Sequence, residues 1–182
     1  MTQVLTTLEE TKQYLGITGT EQDALISMLL ESVSSAAEVF LGRFIISRII
    51  SEEAHFIEDK SKVLQLSFYP VEEVNMIMQN GEEISGEQFS INHNSGILHI
   101  KYGFFTGAVL VTYKAGLAEN VDAVPADIKL AMWQWVKYLL NKSDGAVKSE
   151  SLGDYSVSYA ELQGAMPVSV LSILEQYRRY SV

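Results

Sequence analysis

The sequence predicts an α+β fold: a helical frame with an antiparallel β insertion in the middle. The frame consists of an N-terminal helix pair, a central helix and a C-terminal helix. Apolar residues recur at helical spacing before Gly42 and again after Pro125, whereas between Phe44 and Leu117 the period falls to two. Within that middle stretch, short β-branched or aromatic runs are separated by glycine, proline and asparagine turn signals. A chain of 182 residues suits one domain. We read it as a single domain over 1–182, with N-terminal helices in 1–43, a β-rich insertion in 44–117, and central and C-terminal helices in 118–182.

Thr7 and Glu10 form a capping box before a helix over Leu8–Leu15, which Gly16 is placed to end. A second helix starts after Thr20 and runs to Gly42. Its expected apolar stripe is Leu25, Met28, Leu29, Val33, Ala36, Phe40 and Leu41, with small residues clustered at Ser32 and Ser34–Ala37. Strands are expected at Val63–Ser67, Val74–Gln79, Phe89–Asn92, Ile97–Lys101 and Ala108–Lys114. Asn80-Gly81 fits a tight hairpin, since both residues tolerate the positive φ that such a turn needs. Pro125 opens the central helix, where Ile128, Ala131, Met132, Trp135, Val136, Leu139 and Leu140 fill the core-facing places. Leu130 and Trp133 widen that face. A polar stretch, a strand-like run over Tyr155–Tyr159 and a last helix opened by Pro167 complete the order.

Thirteen Lys and Arg against 23 Asp and Glu give a formal charge of −10. This argues against a protein that grips DNA or an anionic membrane through a basic footprint. The absence of cysteine excludes a disulfide scaffold, a zinc–thiolate site and a cysteine nucleophile. No basic segment leading into an apolar one marks a signal peptide, and no continuous apolar run reaches membrane length.

Catalytic patterns are likewise missing. His55, His93 and His99 lack metalloprotease spacing, and even if His93 and His99 met across a hairpin they would make a poor metal site. The acidic pairs Glu52-Glu53, Glu58-Asp59, Glu72-Glu73 and Glu82-Glu83 read as solvated turns and edges, because neighbours on a strand point to opposite faces. Neither a nucleophile elbow nor a phosphate-binding glycine loop occurs. No cofactor and no metal are expected.

Aromatic residues supply the candidate contact sites. Phe104 and Phe105 lie in a glycine-flanked loop, with core plugging favoured over an exposed contact. Core packing is favoured for Trp133. Tyr177, Arg178, Arg179 and Tyr180 read either as a solvated helix end or as interface anchors.

The segments Leu8–Gly16, Glu21–Arg43, Tyr69–Val71, Val111–Gly116, Val124–Lys129, Ser149–Tyr159 and Pro167–Arg179, in that order, resemble the head–tail connector (adaptor or head-completion) proteins of tailed bacteriophages. The resemblance implies one connector domain without catalytic residues, forming a twelvefold homo-oligomeric ring on the portal of the DNA-filled head. It implies a stopper or tail protein as the other partner, DNA passing through without specific binding, and no membrane. The protein would reside in the virion, after assembly in the host bacterial cytoplasm, and its gene could belong to a phage or a prophage. Pro167–Val182 would then bind portal. Ser149–Tyr159, with Leu152, Asp154 and Tyr155, would meet a neighbouring subunit or the portal. Another phage joint protein, such as a stopper or tail-completion protein, and a ligand-binding or enzymatic α+β domain are the alternatives.

Overall fold

The computed structural model describes residues 3–143, 151–152, 155–156 and 166–179. The chain divides into two compact units, one formed by residues 1–41 with 125–182 and the other by residues 42–124.

The first unit is helical. Helix α1 (Leu8–Leu15) begins at the expected capping box: the Thr7 hydroxyl accepts from the Glu10 amide, and the Glu10 carboxylate accepts from the Thr7 amide. It ends at Gly16 in the left-handed conformation. Helices α2 (Asp23–Leu41), α3 (Ala126–Ser143) and α4 (Val168–Leu174) follow, and α3 packs against all the others. Asp127 in the first turn of α3 complements the positive end of the helix dipole. The core joins Ile26, Leu30, Val33, Ala37 and Leu41 of α2 with Ile128, Ala131, Met132, Trp135 and Val136 of α3 and Val170 and Leu174 of α4. The stripe on α3 is the expected one. On α2 it is rotated: Ile26, Leu30, Ser34 and Ala37 face inward, while Leu25, Met28 and Ala36 are exposed. Because α2 is apolar on both sides, periodicity could not choose between them.

The second unit is built from antiparallel ladders. Strands β1 (Arg48–Ser61), β3 (Val71–Gln79), β4 (Glu82–Glu83) and β7 (Phe105–Ala115) form a sheet in the order β1-β7-β3-β4. Strands β2 (Val63–Gln65), β5 (Phe89–Asn92) and β6 (Ile97–Ile100) form a second, in the order β2-β6-β5. Leu64, Leu98 and Ile100 share one core with Val71, Ile77, Phe105, Val109, Val111 and Tyr113, so the two sheets bury a common interior. Asn80 and Gly81 both have positive φ in the β3–β4 turn, as expected. A short pair, β8 (Ser151–Leu152) and β9 (Tyr155–Ser156), precedes α4 in the chain.

The 14-residue β1 was not expected from the sequence. Its alternation is broken by a bulge between Ile50 and Glu53, where Glu52 adopts φ 53°. The extra residue shifts the inward set from Ile50 to Glu53, His55 and Ile57, so a strict two-residue period does not span the strand.

Candidate interaction surfaces

The C-terminal aromatic and basic residues are tied into the helical unit. The Tyr177 hydroxyl donates to the Asp127 carboxylate, with O–O separations of 2.9 and 2.7 Å. Burial, followed by this hydrogen bond, pushes the phenol up to about 12. The Arg178 guanidinium lies 4.9 Å from the Phe40 ring centroid, and the Arg179 amide donates to the Leu41 carbonyl at 3.0 Å. The chain leaves its last helical turn extended at Arg178, so the arginines follow the helix and do not lie within its final turn. Tyr180 and Asp154 lie outside the described residues, and Leu152 and Tyr155 are described only as members of the β8–β9 pair.

Trp133 is half-buried where α3 meets the start of the chain. Its ring stacks on Tyr14, with centroids 5.4 Å apart, and its Nε1–H donates to the Thr6 hydroxyl at 2.8 Å. Next to it, Lys129 donates to Glu10 at 2.7 Å. Burial acts to raise the Glu10 pKa, but hydrogen bonds from Lys129, the Thr7 amide and the Thr6 hydroxyl outweigh it and lower the group to about 2.

Phe104 and Phe105 separate. Phe105 is fully buried in the sheet core, whereas Phe104 is 43% exposed, with Lys62 Nζ 4.6 Å and Lys60 Nζ 5.8 Å from its ring centroid. Alternation at the start of β7 sends the two rings to opposite sides. Beside Phe104, an open polar depression is lined by Gln79, Glu82, Glu83, Gln88 and Tyr102.

Glu53 departs from the expected solvated edge. The bulge turns it onto the inner face, where it accepts from the Tyr113 hydroxyl and from the Ser67 amide at 2.9 Å, and lies 2.8 Å from His55 Nε2. The Tyr113 hydroxyl in turn accepts from the Phe68 amide at 3.1 Å. Burial opposes ionisation of Glu53, but hydrogen bonds from His55, Tyr113 and Ser67 prevail and lower it to about 2. His93 and His99 do not meet: His99 pairs with Ser90 and Val63, while His93 Nδ1 lies 2.8 Å from the Val71 carbonyl beyond the end of β5. Among the described residues, no three His, Asp or Glu side chains converge as metal ligands. The Glu53 carboxylate is held by the Tyr113 hydroxyl and the Ser67 amide, and its geometry is that of a structural tie.

Two apolar surfaces escaped the sequence reading. One is the outward side of α2; the other is the outer face of the sheet around Leu110. By length and a mean hydropathy of 1.6, α2 also qualifies as a membrane-length helix, although Glu31, Glu38 and its serines break any continuous apolar run. The exposed-side residues Leu25, Met28 and Val39, with Glu31 as the one exposed charge of the helix, were the available signal.

A model of head completion proteins matches residues 4–180. The chain belongs to the head completion protein family. Membership makes it a structural protein of the head–tail joint of a phage-like virion. No curated protein matches the chain. Among solved structures, a chain of the neck of an empty gene transfer agent particle, computed with C6 symmetry, superposes with a TM-score of 0.68 at 16% identity, covering 96% of this chain and 90% of that one. A chain of the native particle's neck, computed with C12 symmetry, gives 0.66 at 16% identity, covering 96% and 89%. A chain of the native gene transfer agent virion gives 0.65 at 18% identity, covering 96% and 90%. These likenesses establish a shared fold along nearly the whole length of this head completion protein.

Proposed function

We propose that this head completion protein is an adaptor: a ring subunit that docks on the portal of the filled head and presents its far side to a stopper or tail protein. Its work is binding, with no covalent step. The observation that carries the reading is the end-to-end likeness to neck chains of particles computed with C6 and C12 symmetry. In support, the Glu53 and Glu10 carboxylates are both held by hydrogen bonds within the chain, which position chain and not substrate. The net charge of −10 suits a wall past which DNA slides without specific contact. The portal-binding element is assigned to Pro167–Val182, with Ser149–Tyr159 at a subunit or portal contact.

Light scattering of the purified chain, alone and mixed with the portal protein of the same particle, tests the reading. A complex larger than either component is expected. Because Tyr177, Arg178 and Arg179 hold the helical unit together, the discriminating variant removes only Tyr180–Val182. It should keep the wild-type circular dichroism and lose co-elution with portal. Undiminished co-elution would refute a part for Tyr180–Val182 in that contact and cut the assignment back to Pro167–Arg179.

A further inference from the structure

A ring closes through unlike patches, because each copy must offer one surface to the neighbour on its left and a different one to the neighbour on its right. The chain carries two unpartnered apolar surfaces, one in each unit. On α2, opposite the buried stripe, Leu25, Met28 and Val39 are 38%, 59% and 80% exposed. Between them lie Ser32, Ser35 and Ala36. The spacing 25, 28, 32, 35/36, 39 is that of a packing seam, and it carries no charge. Helices with a single buried face normally put their charged residues on the other; on α2 the exposed side carries only Glu31, at the flank of the seam.

The second surface is the outer face of the four-stranded sheet. Register places Phe56 opposite Ala108, Ala54 opposite Leu110, Met78 also opposite Leu110, and Met76 opposite Thr112. Phe56 is 75% exposed and rises beside two alanines. An antiparallel sheet with one solvated side ordinarily reads polar there; this one reads apolar across three strands.

Resting on the ring reading above, we propose that these are the two halves of the subunit–subunit contact. The outward side of α2 on one copy packs against the outer sheet face of the next, with Phe56 seated over the small residues Ser32, Ser35 and Ala36. The shapes fit: an aromatic knob on a low alanine surface meets a helix with a small-residue saddle between larger ends. The occupant is a second copy because the fold's counterparts come from rotationally symmetric necks. Such a ring needs a helix–sheet pair, since either surface meeting itself would give a closed twofold dimer.

The cysteine-free chain allows a direct test. Ala36→Cys and Ala108→Cys are made as separate proteins and treated with a short bis-maleimide, each alone and as an equimolar mixture. A covalent dimer in the mixture, with none from either protein alone, is expected. The double variant should give a ladder of higher oligomers, and Phe56→Glu should weaken self-association at least about tenfold while the far-ultraviolet spectrum stays unchanged. Dimers from one variant alone would overturn the proposal, as would a double variant that closes only within its own chain. Wild-type oligomers by light scattering without a mixed cross-link would overturn this contact while leaving the ring standing. Neither oligomer nor cross-link up to millimolar protein would remove both. Flotation of the protein with anionic lipid vesicles, abolished by Met28→Glu, would reassign the α2 surface to a membrane and sink the contact.

Discussion

The helical unit and the sheet unit bury polar groups in different ways. In the helical unit three side-chain ties join segments remote in sequence: Thr6 to Trp133, Glu10 to Lys129, and Asp127 to Tyr177. In the sheet unit the polar centre sits at a bulge, with Glu53, His55 and Tyr113 on strands already paired by their backbones. Apolar helix faces leave sliding and rotation open, so fixed polar partners specify which helix meets which. A hydrogen-bonded ladder has already set its register, leaving the polar centre only the irregular turn of the bulge to fix. Polar ties therefore select partners in one unit and local shape in the other.

The largest effect should come from the apolar interior, where that contrast disappears. Phe105→Ala empties a fully buried site and should cost about 3–5 kcal/mol in urea unfolding. Hydrogen exchange should accelerate most over residues 48–115; equal acceleration throughout α2 and α3 would mean that the two units unfold as one. A smaller loss, about 1–3 kcal/mol, is expected for Glu53→Gln, which leaves the buried Tyr113 hydroxyl and the Ser67 amide poorly matched. Its pH dependence has a definite sign. The folded carboxylate sits at about 2 against an ordinary 4.5, so its contribution is full above about pH 4.5 and fades as pH falls toward 2. The wild type should therefore lose more stability over that interval than Glu53→Gln. Parallel acid curves would deny the bulge its charged anchor.

Much of this was legible in the sequence, and the parts that were not share a cause. The Thr7–Glu10 box, Gly16, Asn80-Gly81 and Pro125 all act locally, each fixing backbone within a few residues, and all appear where expected. The stripe on α3 was readable because its inward positions are more apolar than its surroundings. On α2 both sides are apolar, and only the packed structure shows that Ile26 and Leu30 face in while Met28 and Val39 face out. Strand β1 was hidden because the bulge at Glu52 shifts the alternation and places Glu53 on the buried side. Of the candidate contact residues, Trp133, Phe105, Tyr177 and Arg178 proved to be joined to their own unit. A tyrosine or arginine suited to anchoring a partner is equally suited to anchoring its own chain, and sequence alone does not separate the two uses.

The smallest effect tests whether a tie between remote segments matters when it lies partly in water. Tyr177→Phe keeps the ring and removes only the hydroxyl that donates to Asp127, so a cost of about 1 kcal/mol is expected, below the usual figure for a bond to a charged group because the site is half-exposed. The phenol is raised to about 12 from an ordinary 10. A raised value means that folding favours the protonated form, so the contribution is full below about pH 10 and disappears as pH climbs through 12. The stability difference between wild type and Tyr177→Phe should hold steady at neutral pH and narrow across that alkaline interval, as read from urea midpoints at each pH. Asp127→Asn, which removes the charge but keeps an acceptor, should narrow it as well. If the difference stays constant into strong alkali, the hydroxyl is not bound to the carboxylate in solution. The segment after α4 would then be held by the Arg178–Phe40 contact, the Arg179–Leu41 hydrogen bond and the burial of Val170 and Leu174.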